Sequence, residues 1–169
     1  MIKSAIKYSL LCGVFLIALF FVSIMFGSNP LLDFRHFFFD LAVFFLFIYF
    51  AGKEYKDFWN DGFLHFWQGI SVGFIVLIPS VLIFSLILFV IFETNPILID
   101  GYREGAKAYL NSKEEFFLKE FTEDQLKEQF LAIEKVTAAQ LVLSTFGKKL
   151  FAGFLVTPVV SIILRKKPK

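Results

Sequence analysis

Asp40 is the residue of greatest chemical interest, because it stands inside an apolar run, RHFFFDLAVFFLFIYFAG, that reads as a membrane-crossing helix. A carboxylate in hydrocarbon is costly, and its presence there is a functional hypothesis by default. His36 precedes it by four residues, which puts both on one helical face, and Arg35 lies beside His36. An intramembrane His36–Asp40 pair suits proton relay or cation binding. The plainer reading places Asp40 about one turn inside the outer end of the span, neutralised by Arg35, His36 or water at headgroup depth. That position favours the plainer role.

The remaining candidates are weaker. His65 sits among Phe63, Phe66 and Trp67, with no second histidine at helical spacing. Asp61 and Gln68 are poor substitutes, so an interfacial histidine fits better than a zinc ligand. The single cysteine, Cys12, excludes an internal disulfide or a cysteine cluster and reads as a small apolar residue. Gly101 and Gly105 bracket YRE without the strand context that phosphate binding requires. No nucleophile elbow, phosphate loop or zincin motif is present. No catalytic, cofactor-binding or metal-ligating residue is therefore assigned, and the expectation is a protein that is not an enzyme.

The elements that must position Asp40 are set by composition. Of 169 residues, 57% are hydrophobic and only 19% charged, and mean hydropathy is +0.71. Soluble domains run nearer one half and one quarter, so lipid is the expected solvent. A net charge of +2 gives no argument for nucleic acid. The expected fold is all-α: one integral membrane domain, 1–169, with four transmembrane helices and a short helical extracytoplasmic insertion between the third and fourth.

The spans fall at about 8–26, 35–52, 69–92 and 147–164, and the insertion at about 93–137. The first exceeds a signal-peptide core and lacks a good cleavage site, so it is read as uncleaved. Pro79 and Pro158 remove backbone donors and should kink the third and fourth spans. Gly69 and Gly73 form a small-x-x-x-small pair, best read as packing within the bundle. Trp59 and Trp67 suit headgroup depth. Lys148 and Lys149 join them as interfacial anchors if the last span starts at 147 and both lysines snorkel outward. The alternative is one long tilted helix over 138–164 with the lysines facing a cavity or the insertion. The cost of an ammonium at mid-depth favours the first.

Inside the insertion, Ile97, Leu98, Tyr102, Ala106 and Tyr109 share a helical face, and NSKEEFFLKEF reads as a shorter helix or turn. FTEDQLKEQFLAIEKV carries a capping box, Thr122 with Gln125, and an apolar face of Leu126, Phe130 and Ile133. Four spans put both termini on one side. That side holds 8 positive and 3 acidic residues, and the other 9 and 12. The positive density favours cytoplasmic termini in the bacterial inner membrane.

KEYKDF after the second span, FLHFWQGISVGF opening the third, TNP leaving it, TEDQLKEQ and the basic tail RKKPK together form a pattern. It resembles the bacterial family of small membrane proteins catalogued as domain of unknown function 4199, over nearly the whole chain. The resemblance implies four spans and brings no functional residues.

Two functions follow. One is a structural or accessory membrane protein whose insertion caps the bundle and meets a membrane or extracytoplasmic protein partner, with homo-oligomerisation as a further option. The other is a small transporter or channel-like protein using Asp40, His36 and Pro79. The first predicts a covered insertion and no polar cavity at mid-depth; the second predicts a cavity reaching Asp40.

Overall fold

The computed structural model describes residues 2–113, 117 and 121–166. Most of the helix or turn expected over 111–121 lies outside them, as do Lys167 and Lys169 of the basic tail. The described residues form six helices: α1 (Ile2–Met25), α2 (Arg35–Trp59), α3 (Phe66–Thr94), α4 (Ile97–Ser112), α5 (Glu123–Glu134) and α6 (Ala138–Leu164). Four of them, α1, α2, α3 and α6, are long and apolar enough to cross a membrane.

Two of these helices outrun the apolar segments that predict them. α2 continues through the polar KEYKDFW to Trp59, and α1 begins at Ile2. The two overhangs hold each other: Lys7 Nζ lies 2.5 Å from Glu54, and the Tyr8 hydroxyl donates to Glu54 at 2.8 Å.

The last long helix corrects the preferred sequence reading. It begins at Ala138, not at 147, and runs unbroken to Leu164. Thr137 starts it with a capping box: Gln140 N–H donates to the Thr137 hydroxyl at 3.3 Å, and Thr137 N–H donates to Gln140 Oε1 at 3.0 Å. Thr122 and Gln125 open α5 in the same way. The early start moves Lys148 and Lys149 from a helix end to the middle of α6.

α3 packs on both α1 and α6, α2 closes the ring between those two, and α2 and α3 also touch. Three close approaches set the α3–α6 register: Gly69 on Ser161, Gly73 on Thr157 and Gly153 on Leu77. Their order shows that the helices run antiparallel. Tyr8 with Glu54, and a two-way backbone bridge between Leu64 and Lys166 (2.9 Å each way), bring the start of α1 and the end of α6 to one end of the bundle. The insertion occupies the other end. Helices that cross a bilayer have no hydrophobic drive to associate in lipid and are held by close van der Waals contact between small residues, the kind of contact this seam makes.

Gly73→Ala tests that register. A Cβ at Gly73 would collide with Thr157, whose branched side chain is held among its neighbours at 0% exposure. Overpacking of this kind costs about 1–3 kcal/mol, read as a lower melting temperature in detergent. Gly101→Ala is the control, because a Cβ there meets nothing within 4 Å.

α3 and α6 continue as α-helix through Pro79 and Pro158. α5 packs on α4. Leu126 is buried, with Phe130 and Ile133 half-buried. Lys107 Nζ meets Glu134 at 2.6 Å, and the Arg103 guanidinium donates to the Val136 carbonyl at 2.8 Å. The hydrogen bond from Lys107 lowers the pKa of the exposed Glu134 carboxyl. On α4 the expected face holds for Leu98, Tyr102 and Ala106. Ile97 and Tyr109 are exposed, and Ile99 is buried instead.

Candidate functional site

Asp40 is half of an ion pair whose other half is Lys149. Lys149 Nζ lies 2.5 Å from Asp40 Oδ1, with side-chain exposures of 10% and 13%. The ammonium also stands over the Phe84 ring, 4.4 Å from its centroid. α2 supplies the acid, α6 the base and α3 the aromatic floor, so three of the four long helices meet at this point. Lys149 is thus not the interfacial anchor expected from the sequence. It lies in phase with Ala152, Gly153, Val156 and Val160, all buried, and its stem follows them inward. Lys148, one residue earlier, is exposed.

His36 takes other partners. Its Nε2 lies 3.3 Å from the Ser28 hydroxyl and its Nδ1 lies 3.5 Å from Ser23. The Ser28 proton is committed to Asp33 Oδ2 at 3.2 Å, which leaves its oxygen to accept from His36. Asp33 Oδ1 in turn accepts the Arg35 backbone N–H at 2.9 Å. That bond, with Ser28 and the Arg35 and His36 charges behind it, holds the Asp33 carboxyl below the ordinary carboxylate range. The expected His36–Asp40 pair is therefore divided between two neighbouring clusters.

Both clusters face one cavity of about 390 Å³. Its floor is Leu16, Phe84 and Lys149, all buried, and its rim includes the exposed Leu32, Phe34, Phe39, Lys148 and Phe151. Apart from Phe151, two residues past Lys149 on α6, the lining lies at or above the ion pair, towards the insertion. Below the floor, Cys12, Phe44, Ile48 and Val81 are packed with at most 1% exposure, so the cavity ends blind. Asp40 stands about 18 Å along α2 from Gly52, and Lys149 about 22 Å along α6 from Leu164. Gly52 and Leu164 touch near the terminal end of the bundle.

The other expected residues lie apart from this site. His65 caps α3, its backbone N–H donating to Gln68 Oε1 at 2.9 Å. Trp59 and Trp67 are exposed at the terminal end, and Gly69 and Gly73 are in the α3–α6 seam. Among the described residues no three His, Cys, Asp or Glu side chains converge as metal ligands.

No curated protein and no solved structure matches the chain. A family model described as protein of unknown function (DUF4199) matches residues 7–166, which take in α1 from Lys7 onward, the other three long helices, the insertion and the Asp40–Lys149 pair. The chain belongs to the DUF4199 family.

Proposed function

We propose that the protein is a multi-pass accessory protein of the bacterial inner membrane that binds a ligand and carries out no chemistry on it. Both termini face the cytoplasm, and α4 and α5 cap the bundle outside, where a protein partner meets them. The cavity reaching Asp40 is what the transporter reading expects and the accessory reading does not; what favours binding over transport is that it ends on the Asp40–Lys149 pair above a packed layer. If the hydrocarbon begins near Gly52 and Leu164, the pair lies roughly two thirds of the way across a core of about 30 Å. The cavity then opens to the outer leaflet and the insertion side. A site with charged groups at its base and aromatic walls suits reception of a small molecule. The packed layer beneath it argues against a standing conduit.

Transport is the second reading, supported by the same cavity reaching an intramembrane carboxylate. Cys12 separates the two, because it is fully buried just below the floor. In a binding protein it stays unreactive to impermeant thiol reagents from either face of native membranes and reacts only after denaturation. Rapid labelling of Cys12 from the terminal side would mean that the layer opens, and would replace binding by transport. In a Cys12→Ser background, Glu123→Cys is expected to label from outside intact cells. Labelling only in inverted vesicles would reverse the orientation.

A further inference from the structure

The charges lining the cavity balance in number, Asp33 and Asp40 against Lys148 and Lys149, but not in their pairing. Asp40 is engaged by Lys149. Asp33 takes the Arg35 N–H on one oxygen and Ser28 on the other, with the Arg35 guanidinium 3.9 Å away. Both acids that line the cavity are thus engaged. Lys148, on the exposed rim, has neither an ion pair nor a hydrogen bond among the described residues. Lys149 carries three N–H donors, and the described residues give it one hydrogen bond, to Asp40. Asp40 Oδ2 keeps some acceptor capacity, but the charge left without a counter-ion among the lining residues is that of Lys148, so the unspent charge of the site is cationic.

The rim is also apolar. Phe34, Phe39 and Phe151 are 71%, 56% and 57% exposed beside Lys148. Phe37 stacks on Phe151 at 6.3 Å between centroids and lines the wall behind them. A ligand matching both features has an anionic group at one end and hydrocarbon at the other. The volume, about 390 Å³, is near the lower limit for small-molecule sites, which suits a head group and part of one chain.

We infer that the cavity receives an amphiphile with a single anionic head group, the head between Lys148 and Lys149 and the tail along the phenylalanine rim. This rests on the reading of the cavity as a binding site. The head group comes either from an anionic lipid of the surrounding membrane or from a free long-chain acid.

The test uses the full chain in nanodiscs of phosphatidylcholine, titrated with a fluorescent long-chain fatty acid and with its alcohol counterpart. The acid is expected to bind saturably, one per chain, and the alcohol about ten-fold more weakly, the worth of one charge-assisted hydrogen bond. Lys148→Gln, at an exposed position that leaves folding intact, is expected to weaken the acid about ten-fold and leave the alcohol unchanged. Phosphatidylglycerol built into the disc distinguishes the sources. Displacement of the acid assigns the head group to membrane lipid, and no displacement assigns it to free acid; both support the inference. Equal binding of acid and alcohol, or an unaltered Lys148→Gln protein, overturns the anionic head group while leaving a binding cavity. Absence of saturable binding by either probe overturns the cavity reading as well.

Discussion

Lys149→Met is expected to destabilise the bundle by about 3–5 kcal/mol, the usual cost of leaving one member of a buried ion pair without its partner. The substitution keeps the length and apolar stem of the side chain, so the loss comes chiefly from Asp40. That carboxylate is 13% exposed and has Lys149 as its counter-ion at 2.5 Å. Asp40→Asn in the same chain is expected to restore most of the stability, since uncharged replacement of a whole buried pair is often neutral. Lys148→Met is the matched control, because an exposed lysine without a fixed partner is worth within about 0.5 kcal/mol. Denaturant or thermal unfolding in mild detergent reads all three. A Lys149→Met protein as stable as its parent, or a double variant no better than the single, would show that the pair does not clamp α2 to α6.

The same pair marks the limit of what sequence pattern reveals. Two of the four long helices, α1 and α3, follow from uncharged runs alone, α2 requires Asp40 to be taken into its span, and the caps at Thr122 and Thr137 are local signals readable from three-residue spacing. A lone ammonium in hydrocarbon is penalised, which points Lys149 to the headgroups, and only a partner lifts that penalty. The partner is 109 residues away on another helix, and no periodicity reports such a contact. Helical phase does carry a partial signal. Lys149 falls in register with Ala152, Gly153, Val156 and Val160, a stripe of small residues, whereas Lys148 falls with Phe151 and Leu155, both exposed. Reading the two lysines separately, rather than as one basic doublet, points the second inward. His36 shows the converse error. Its four-residue spacing from Asp40 puts both on one face, yet Ser28 and Ser23 lie nearer to the ring than Asp40 does along the helix. The loop that brings Ser28 back over α2, with its positive-φ Gly27 at 73°, is tertiary information.

Phe84→Ala is the second large effect expected, at about 3 kcal/mol. Phenylalanine truncation in a core costs about 3–5 kcal/mol, and the lower limit applies because lipid weakens the transfer contribution while leaving the packing loss intact. Phe84 is 1% exposed, meets Phe20 edge-on at 6.1 Å and carries Lys149 over its face. The cation–π contact adds about 0.5–2 kcal/mol to what is lost. Phe84→Leu separates these contributions, since it keeps most of the volume and removes the ring face; it is expected to cost less than about 1.5 kcal/mol beyond the cation–π share. The two variants also differ at the floor of the cavity. Alanine opens the space between Lys149 and the packed layer below, so Cys12 should become reactive to a small thiol reagent from the insertion side. Leucine should keep it closed. A Phe84→Ala protein that loses stability with Cys12 still protected would place the barrier in Cys12, Phe44, Ile48 and Val81 themselves. The ion pair would then rest on a floor that seals the bundle without the ring, and the cavity could vary in depth without becoming a conduit.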